Sequence, residues 1–174
     1  MLIGFYTINM TFFVKAISGP KPKTKESQQI AYAYALLLVV VLFCQLFTFD
    51  DFLPLIENLW LPGGEPTAHL LGGIIVVSEL FSLPFLLGVR LSPLMRVFCM
   101  IASWLVPTVW LFISVWLQIV LNNVSNIGFL GTVVDILPGW WAIFACIAIG
   151  VLSAWSSWGL WPLKRMKPGR RRLK

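Results

Sequence analysis

Residues 97–121 read VFCMIASWLVPTVWLFISVWLQIVL, a run of 25 residues without an acidic or basic side chain. A helix needs about 20 apolar residues to cross the roughly 30 Å of hydrocarbon in a bilayer. A lone strand would leave its backbone without hydrogen bonds in lipid, so this stretch predicts a membrane-spanning helix.

Three further stretches of similar length flank this run. They cover residues 30–49, 67–89 and 140–162, and only the second contains ionisable groups, one acid and one histidine. The 174-residue chain is 59% hydrophobic and 11% charged, whereas soluble domains carry roughly 25% charge. This composition excludes an ordinary soluble domain and a disordered chain. We predict an all-α membrane protein with a four-transmembrane-helix bundle over residues 30–163.

The two ends of the chain differ from the predicted bundle. Residues 1–14 are apolar but too short to span, so we expect a short interfacial N-terminal segment, then a basic linker that runs to residue 29. A cleaved signal peptide is the alternative. Residues 164–174 are expected to form a disordered basic tail. Its candidates for docking to anionic lipid headgroups or to a partner protein are Lys164, Arg165, Lys167, Arg170, Arg171, Arg172 and Lys174.

The distribution of lysine and arginine predicts the orientation. Four of these residues precede the first span, two lie between the second and third spans, and seven follow the fourth. The other two loops contain none and hold acids instead: Asp50, Asp51, Glu57, Glu65 and Asp135. The positive-inside rule then places both termini in the cytoplasm, and we expect a bacterial cytoplasmic membrane. The net charge of +6 comes without a basic and aromatic pattern, so we expect no nucleic-acid partner.

Most motifs that carry chemistry are absent from the sequence. One histidine cannot build a bis-histidine haem from this subunit alone, and no motif supports a self-sufficient hydrolase. The three cysteines contain no C-x-x-C pair, which argues against a thiol oxidoreductase of the vitamin K epoxide reductase type. The acidic outer loop, residues 50–66, matches no metal-loop spacing, so we expect a solvated surface and no metal site.

Glu79 is the candidate catalytic residue because it lies near the middle of the second span. No basic residue is within easy reach, so desolvation favours a neutral carboxyl. Helical spacing places Gly72 and Ser82 on the same face, which predicts that Glu79 points into the bundle. The expected hydrogen-bond acceptors are Thr108, Ser153 and the carbonyl of Leu80. The carboxyl either handles a proton or binds a headgroup, or it only joins two helices.

Two further patterns concern packing and a pocket. Gln45 and Gln118 lie toward the outer ends of the first and third spans and could line an outward-facing pocket with His69. Small residues recur every four positions in the fourth span and predict close helix packing, within the bundle or with a second copy. These small residues are Ala142, Cys146, Gly150 and Ala154.

Residues 78–90, SELFSLPFLLGVR, combine a glutamate, an apolar run, Leu-Leu-Gly and an arginine. The stretch resembles the second span of DoxX/MauE-like membrane proteins. The resemblance covers about residues 30–162, and the residues that match the family pattern are Glu79, Gly88 and Arg90. Where family members often have a lysine or arginine after the first span, this chain has Asp50 and Asp51. The resemblance implies four helices in a family that includes the membrane subunit of a thiosulfate:quinone oxidoreductase, partners in redox-stress complexes and methylamine-utilisation accessories.

Three functional hypotheses follow. The first is a redox-linked membrane subunit that holds a quinone or docks a partner enzyme, with Glu79 assisting proton uptake. The second is a non-catalytic scaffold or assembly factor whose basic tail binds lipid headgroups or a partner. The third is a small proton-coupled carrier, which is disfavoured because transporters commonly show internal repeats and none is visible here.

Overall fold

The computed structural model describes residue 19, residues 21–120 and residues 124–161. This part of the chain forms five α-helices and no strand. Their bounds are α1 Lys25–Phe47, α2 Phe49–Glu57, α3 Glu65–Leu86, α4 Pro93–Val120 and α5 Trp140–Leu160. The expected interfacial segment, residues 1–14, and the basic tail, residues 164–174, lie outside the described residues.

Four of the helices, α1, α3, α4 and α5, are long and apolar enough to cross a membrane. Each packs on two of the others, in the cyclic order α1, α3, α4, α5. The prediction of an all-α bundle of four transmembrane helices is therefore confirmed. Pro84 and Pro107 both lie inside these helices.

The start of α1 corrects a predicted boundary. The helix begins at Lys25, so residues 25–29 are helical instead of belonging to a linker. The cause is a capping box: the Thr24 hydroxyl accepts from the Ser27 backbone N–H, and the Ser27 hydroxyl accepts from the Thr24 backbone N–H. This exchange satisfies two backbone donors at the helix start.

Residues 50–66 were predicted to be a loop, but the structure has the short helix α2 over their first half. Its side chains Phe52 and Ile56 are fully buried, four residues apart on one helical face. The helix packs against α3, where Leu53 approaches Gly72. An amphipathic segment of nine residues thus covers one end of the bundle.

Charge separates the two ends of the bundle. The end where α1 and α4 begin is named the basic end, and it carries Lys21, Lys23, Lys25, Arg90 and Arg96. The opposite end is named the acidic end, and it carries Asp50, Asp51, Glu57, Glu65 and Asp135. Glu26 is the one acid in the first turn of α1 at the basic end. This division follows the pattern from which the orientation was predicted.

Three of the four small residues predicted to form a stripe on α5 pack within the bundle, whereas Ala154 is half-buried and lines a groove with Trp155 and Trp158. Ala142 and Cys146 are buried, and Gly150 faces the ring of Pro107 on α4. All three cysteines of the chain are free, and Cys99 and Cys146 are buried. Cys99 and Cys146 therefore serve as small apolar side chains in the core.

Candidate functional site

One face of α3 turns Glu79 into the bundle. Gly72, Ile75, Ser78 and Ser82 are buried on that face at helical spacing, and Glu79 itself is fully buried. Small and polar side chains leave room for the carboxyl between the helices. The predicted inward orientation of Glu79 is confirmed.

Gln45, near the end of α1, is the hydrogen-bond partner of the Glu79 carboxyl. Its Nε2 lies 3.3 Å from Glu79 Oε1 and 3.1 Å from the carbonyl oxygen of Phe129. One buried amide therefore joins α1, α3 and the loop before α5. The sequence had instead suggested Thr108, Ser153 or the Leu80 carbonyl as partners.

The same region contains polar atoms that have no partner. Glu79 Oε2, Gln45 Oε1 and Trp110 Nε1 are buried without a hydrogen bond. The Trp110 indole N–H approaches the Glu79 carboxyl without reaching hydrogen-bond geometry, and its ring meets the Phe129 ring edge-on at 5.2 Å between centroids. Most buried polar atoms in proteins are hydrogen-bonded, so three that fall outside hydrogen-bond geometry this close together mark a polar site inside the bundle. We name Gln45, Glu79 and Trp110 the buried polar triad.

The triad can both donate and accept hydrogen bonds. The Trp110 N–H is a donor only, and Gln45 Oε1 is an acceptor only. A protonated Glu79 adds an O–H donor, whereas an ionised one adds an acceptor. A carbonyl oxygen of a small ligand could accept from Trp110 and from a neutral Glu79, and a ligand hydroxyl could donate to Gln45.

The loop over residues 124–139 covers this region and is held by Asn126. The Asn126 Nδ2 donates to the Gly131 carbonyl at 3.0 Å and to Asp135 Oδ1 at 3.1 Å. Its Oδ1 accepts from the backbone N–H groups of Gly128, at 2.8 Å, and Ile136, at 3.2 Å. The buried asparagine thereby fixes the loop that brings the Phe129 carbonyl to Gln45.

An apolar cavity of about 210 Å³ lies beneath this loop. Phe129 lines it together with residues of the loop and of α5, among them Ile136, Trp141 and Cys146. Phe129 thus contacts both the buried polar triad and an apolar space large enough for part of a chain-like molecule.

A second buried polar cluster joins α1, α4 and α5. The Tyr34 hydroxyl donates to the Ser103 carbonyl at 2.9 Å, and the Ser153 hydroxyl donates to the same carbonyl at 3.0 Å. The hydroxyls of Ser103 and Ser153 are 3.1 Å apart. These groups satisfy one another, so the cluster is best explained by helix packing.

The remaining predicted pocket residues are dispersed. His69 is exposed at the acidic end, where its Nε2 lies 2.8 Å from Glu57 Oε1. Thr108 is exposed on α4 and donates to the Trp104 carbonyl of its own helix at 2.7 Å. Gln118 is half-buried near the end of α4. Of the predicted pocket residues, Gln45 and Ser82 contact Glu79. Gln45 bonds to the carboxyl, and the Ser82 hydroxyl donates to the Glu79 backbone carbonyl at 2.7 Å.

Gly88 and Arg90 lie in the turn after α3. Gly88 has a φ of 68°, a left-handed conformation that suits glycine after a helix. The Leu87 N–H donates to the Leu83 carbonyl at 2.9 Å, which completes the helix end. Arg90 is exposed beside this turn. These two residues terminate a helix at the basic end and do not contribute to the triad.

Comparisons with protein-family models, with curated proteins and with solved structures gave no match. Among the described residues, two groups of polar side chains are candidates for a ligand site: the buried polar triad and a cluster at the acidic end that includes His69.

Sequence reasoning missed two contributors to the site. Trp110 carried a signal, because it lies in the middle of a span and not at a membrane interface, where tryptophan is enriched. The Phe129 carbonyl carried none, since it is a backbone group in a loop that returns to Gln45 across 84 positions of sequence.

Proposed function

We propose that this protein is a DoxX/MauE-like membrane subunit that binds a quinone headgroup at the buried polar triad. The observation that carries the proposal is the set of three unpaired buried atoms, Glu79 Oε2, Gln45 Oε1 and Trp110 Nε1. A quinone presents carbonyl acceptors on a planar ring, and its reduced form presents hydroxyl donors. The triad offers partners for both forms.

The proposed chemistry balances as quinone plus two electrons and two protons giving quinol. The two electrons would be supplied by the redox cofactor of a partner protein. With a quinone bound, Glu79 would donate one proton to the nearer carbonyl oxygen, and solvent would supply both the second proton and the one that restores the Glu79 carboxyl. The Trp110 N–H would donate a hydrogen bond to a quinone carbonyl and so orient the ring.

The cavity beneath the 124–139 loop supports a lipid-soluble ligand over a water-soluble one. Its lining is apolar and shares Phe129 with the triad. The isoprenoid chain of a membrane quinone fits such a lining, because burying apolar groups among apolar side chains avoids contact with water.

We further infer that both termini lie in the cytoplasm of a bacterial cell, with the basic end at the inner surface of the membrane. The support is the separation of basic and acidic residues between the two ends. At this end, the Nζ atom of Lys23 lies over the Trp158 ring, 4.5 Å from its centre. Anionic lipid headgroups suit such a surface, and the tail from Lys164 to Lys174 would extend it.

The experiment measures binding of a short-chain ubiquinone analogue to the purified full-length protein in detergent by calorimetry. Trp110→Phe should weaken binding by about tenfold, because it removes one donor to the carbonyl. Glu79→Gln should still bind, but without the pH dependence of the parent protein. Ser153→Ala is the matched control, since it changes a buried hydroxyl outside the triad.

Saturable binding with this pattern supports the proposal. Equal affinity of Trp110→Phe and the parent protein would overturn it, as would the absence of binding. Purification with a stable partner and without quinone would favour the scaffold alternative.

A further inference from the structure

Three potential metal ligands meet at the acidic end, outside the buried polar triad. Glu57 is the last residue of α2, Glu65 is the first residue of α3, and His69 follows one turn later. One ligand atom from each lies within 4.8 Å of those from the other two. The closest pair is His69 Nε2 and Glu57 Oε1, at 2.8 Å.

The connection between α2 and α3 fixes the backbone from which these exposed side chains extend. Leu59 and Leu61 are buried and anchor the turn, and the Trp116 indole N–H donates to the Trp60 carbonyl at 3.1 Å. Glu65 and His69 are four residues apart on one helix, so they lie on the same face. The ligand positions therefore depend on packed elements instead of a free loop.

Charge at this end favours a cation. Glu57 and Glu65 bring two carboxylates close together, and like charges at such a distance repel. Neither residues 47–69 nor residues 124–139 contain a lysine or arginine that could balance them.

We propose that Glu57, Glu65 and His69 bind one divalent transition-metal cation. An imidazole nitrogen favours metals such as zinc over calcium and magnesium, which prefer oxygen ligands alone. Three protein ligands leave a coordination position for water. The sequence predicted no metal site because its spacing matches no metal loop, and the fold now brings together residues from two helices. The site does not depend on the proposed quinone function.

The experiment titrates Zn²⁺ into the full chain, freed of purification tag and stripped with a chelator, and follows binding by calorimetry. We expect one saturable site per chain. His69→Ala and Glu65→Gln should each weaken Zn²⁺ binding at least tenfold, and Ca²⁺ should not compete at equal concentration. Asp50→Asn is the matched control, an exposed acid at the same end that should leave the affinity unchanged.

Acid pH provides a second readout, because protons compete with the metal for the imidazole and the carboxylates. Zn²⁺ affinity should fall as the pH is lowered in the parent protein and change less in His69→Ala. Glu57→Gln serves as an additional variant, with helical content measured by circular dichroism to show that each variant is folded. An absence of saturable binding would overturn the proposal. So would equal weakening by Asp50→Asn, or full affinity in His69→Ala, which would leave only an ion pair between His69 and Glu57.

Discussion

The amide nitrogen of Gln45 lies 3.3 Å from Oε1 of Glu79 and joins α1 to α3 inside the bundle. Both side chains are fully buried, and each retains an oxygen without a hydrogen bond. The pair is therefore a link between two helices and part of an incompletely satisfied polar site.

The first prediction measures the coupling between these two residues. In a double-mutant cycle of Gln45→Leu and Glu79→Leu, the coupling free energy should be about 0.6 kcal/mol, the average for such bonds in membrane proteins. Reversible unfolding in mixed micelles provides the free energies of unfolding. Strictly additive effects would mean that the two side chains do not interact in the folded protein.

The second prediction concerns the contact of α5 with the start of α1. A Cβ atom added at Gly159 would overlap the Ser27 side chain, which is held in the capping box. Gly159→Ala should therefore lower the free energy of unfolding by about 1–3 kcal/mol. Gly73→Ala is the control, because no atom lies within 4 Å of its added Cβ. It should be neutral, or stabilising by up to about 1 kcal/mol.

The third prediction concerns the loop over residues 124–139. Asn126→Ala removes four hydrogen bonds and leaves backbone groups of the loop unpaired, so it should destabilise the loop by about 2 kcal/mol or more. Limited proteolysis should show faster cleavage between residues 124 and 139. The exposed neighbour Ser125 provides the control variant Ser125→Ala, which should be cleaved at the parental rate. Unchanged cleavage of Asn126→Ala would show that the asparagine does not hold the loop.

The fourth prediction concerns membrane orientation. A reporter enzyme fused after Lys174 should be active in the cytoplasm, and one inserted beside Gly64 should be active outside it, because basic residues favour the inner side. Activity assays of paired cytoplasmic and external reporters measure both positions. An external C-terminal reporter would contradict the orientation, although the four-helix fold would stand.

The sequence by itself determined the number of membrane helices and the inward face of Glu79. Both depend on local patterns: hydrophobic runs of sufficient length, and small or polar residues at helical spacing around position 79. It missed α2, because a nine-residue amphipathic helix is short and acidic and resembles a surface loop. It also began α1 five residues late, since a capping box of threonine and serine extends the helix into a polar segment.

Only the tertiary structure decided which side chains meet Glu79. Hydropathy places Gln45 and Trp110 on their own helices, but their contacts across the bundle depend on how each helix is rotated and shifted along its axis. The approach of Phe129 to Gln45, and of His69 to Glu57 and Glu65, depends in addition on how the loops return. A local pattern fixes the face that a helix buries, whereas the partner on that face is fixed by packing between segments distant in sequence.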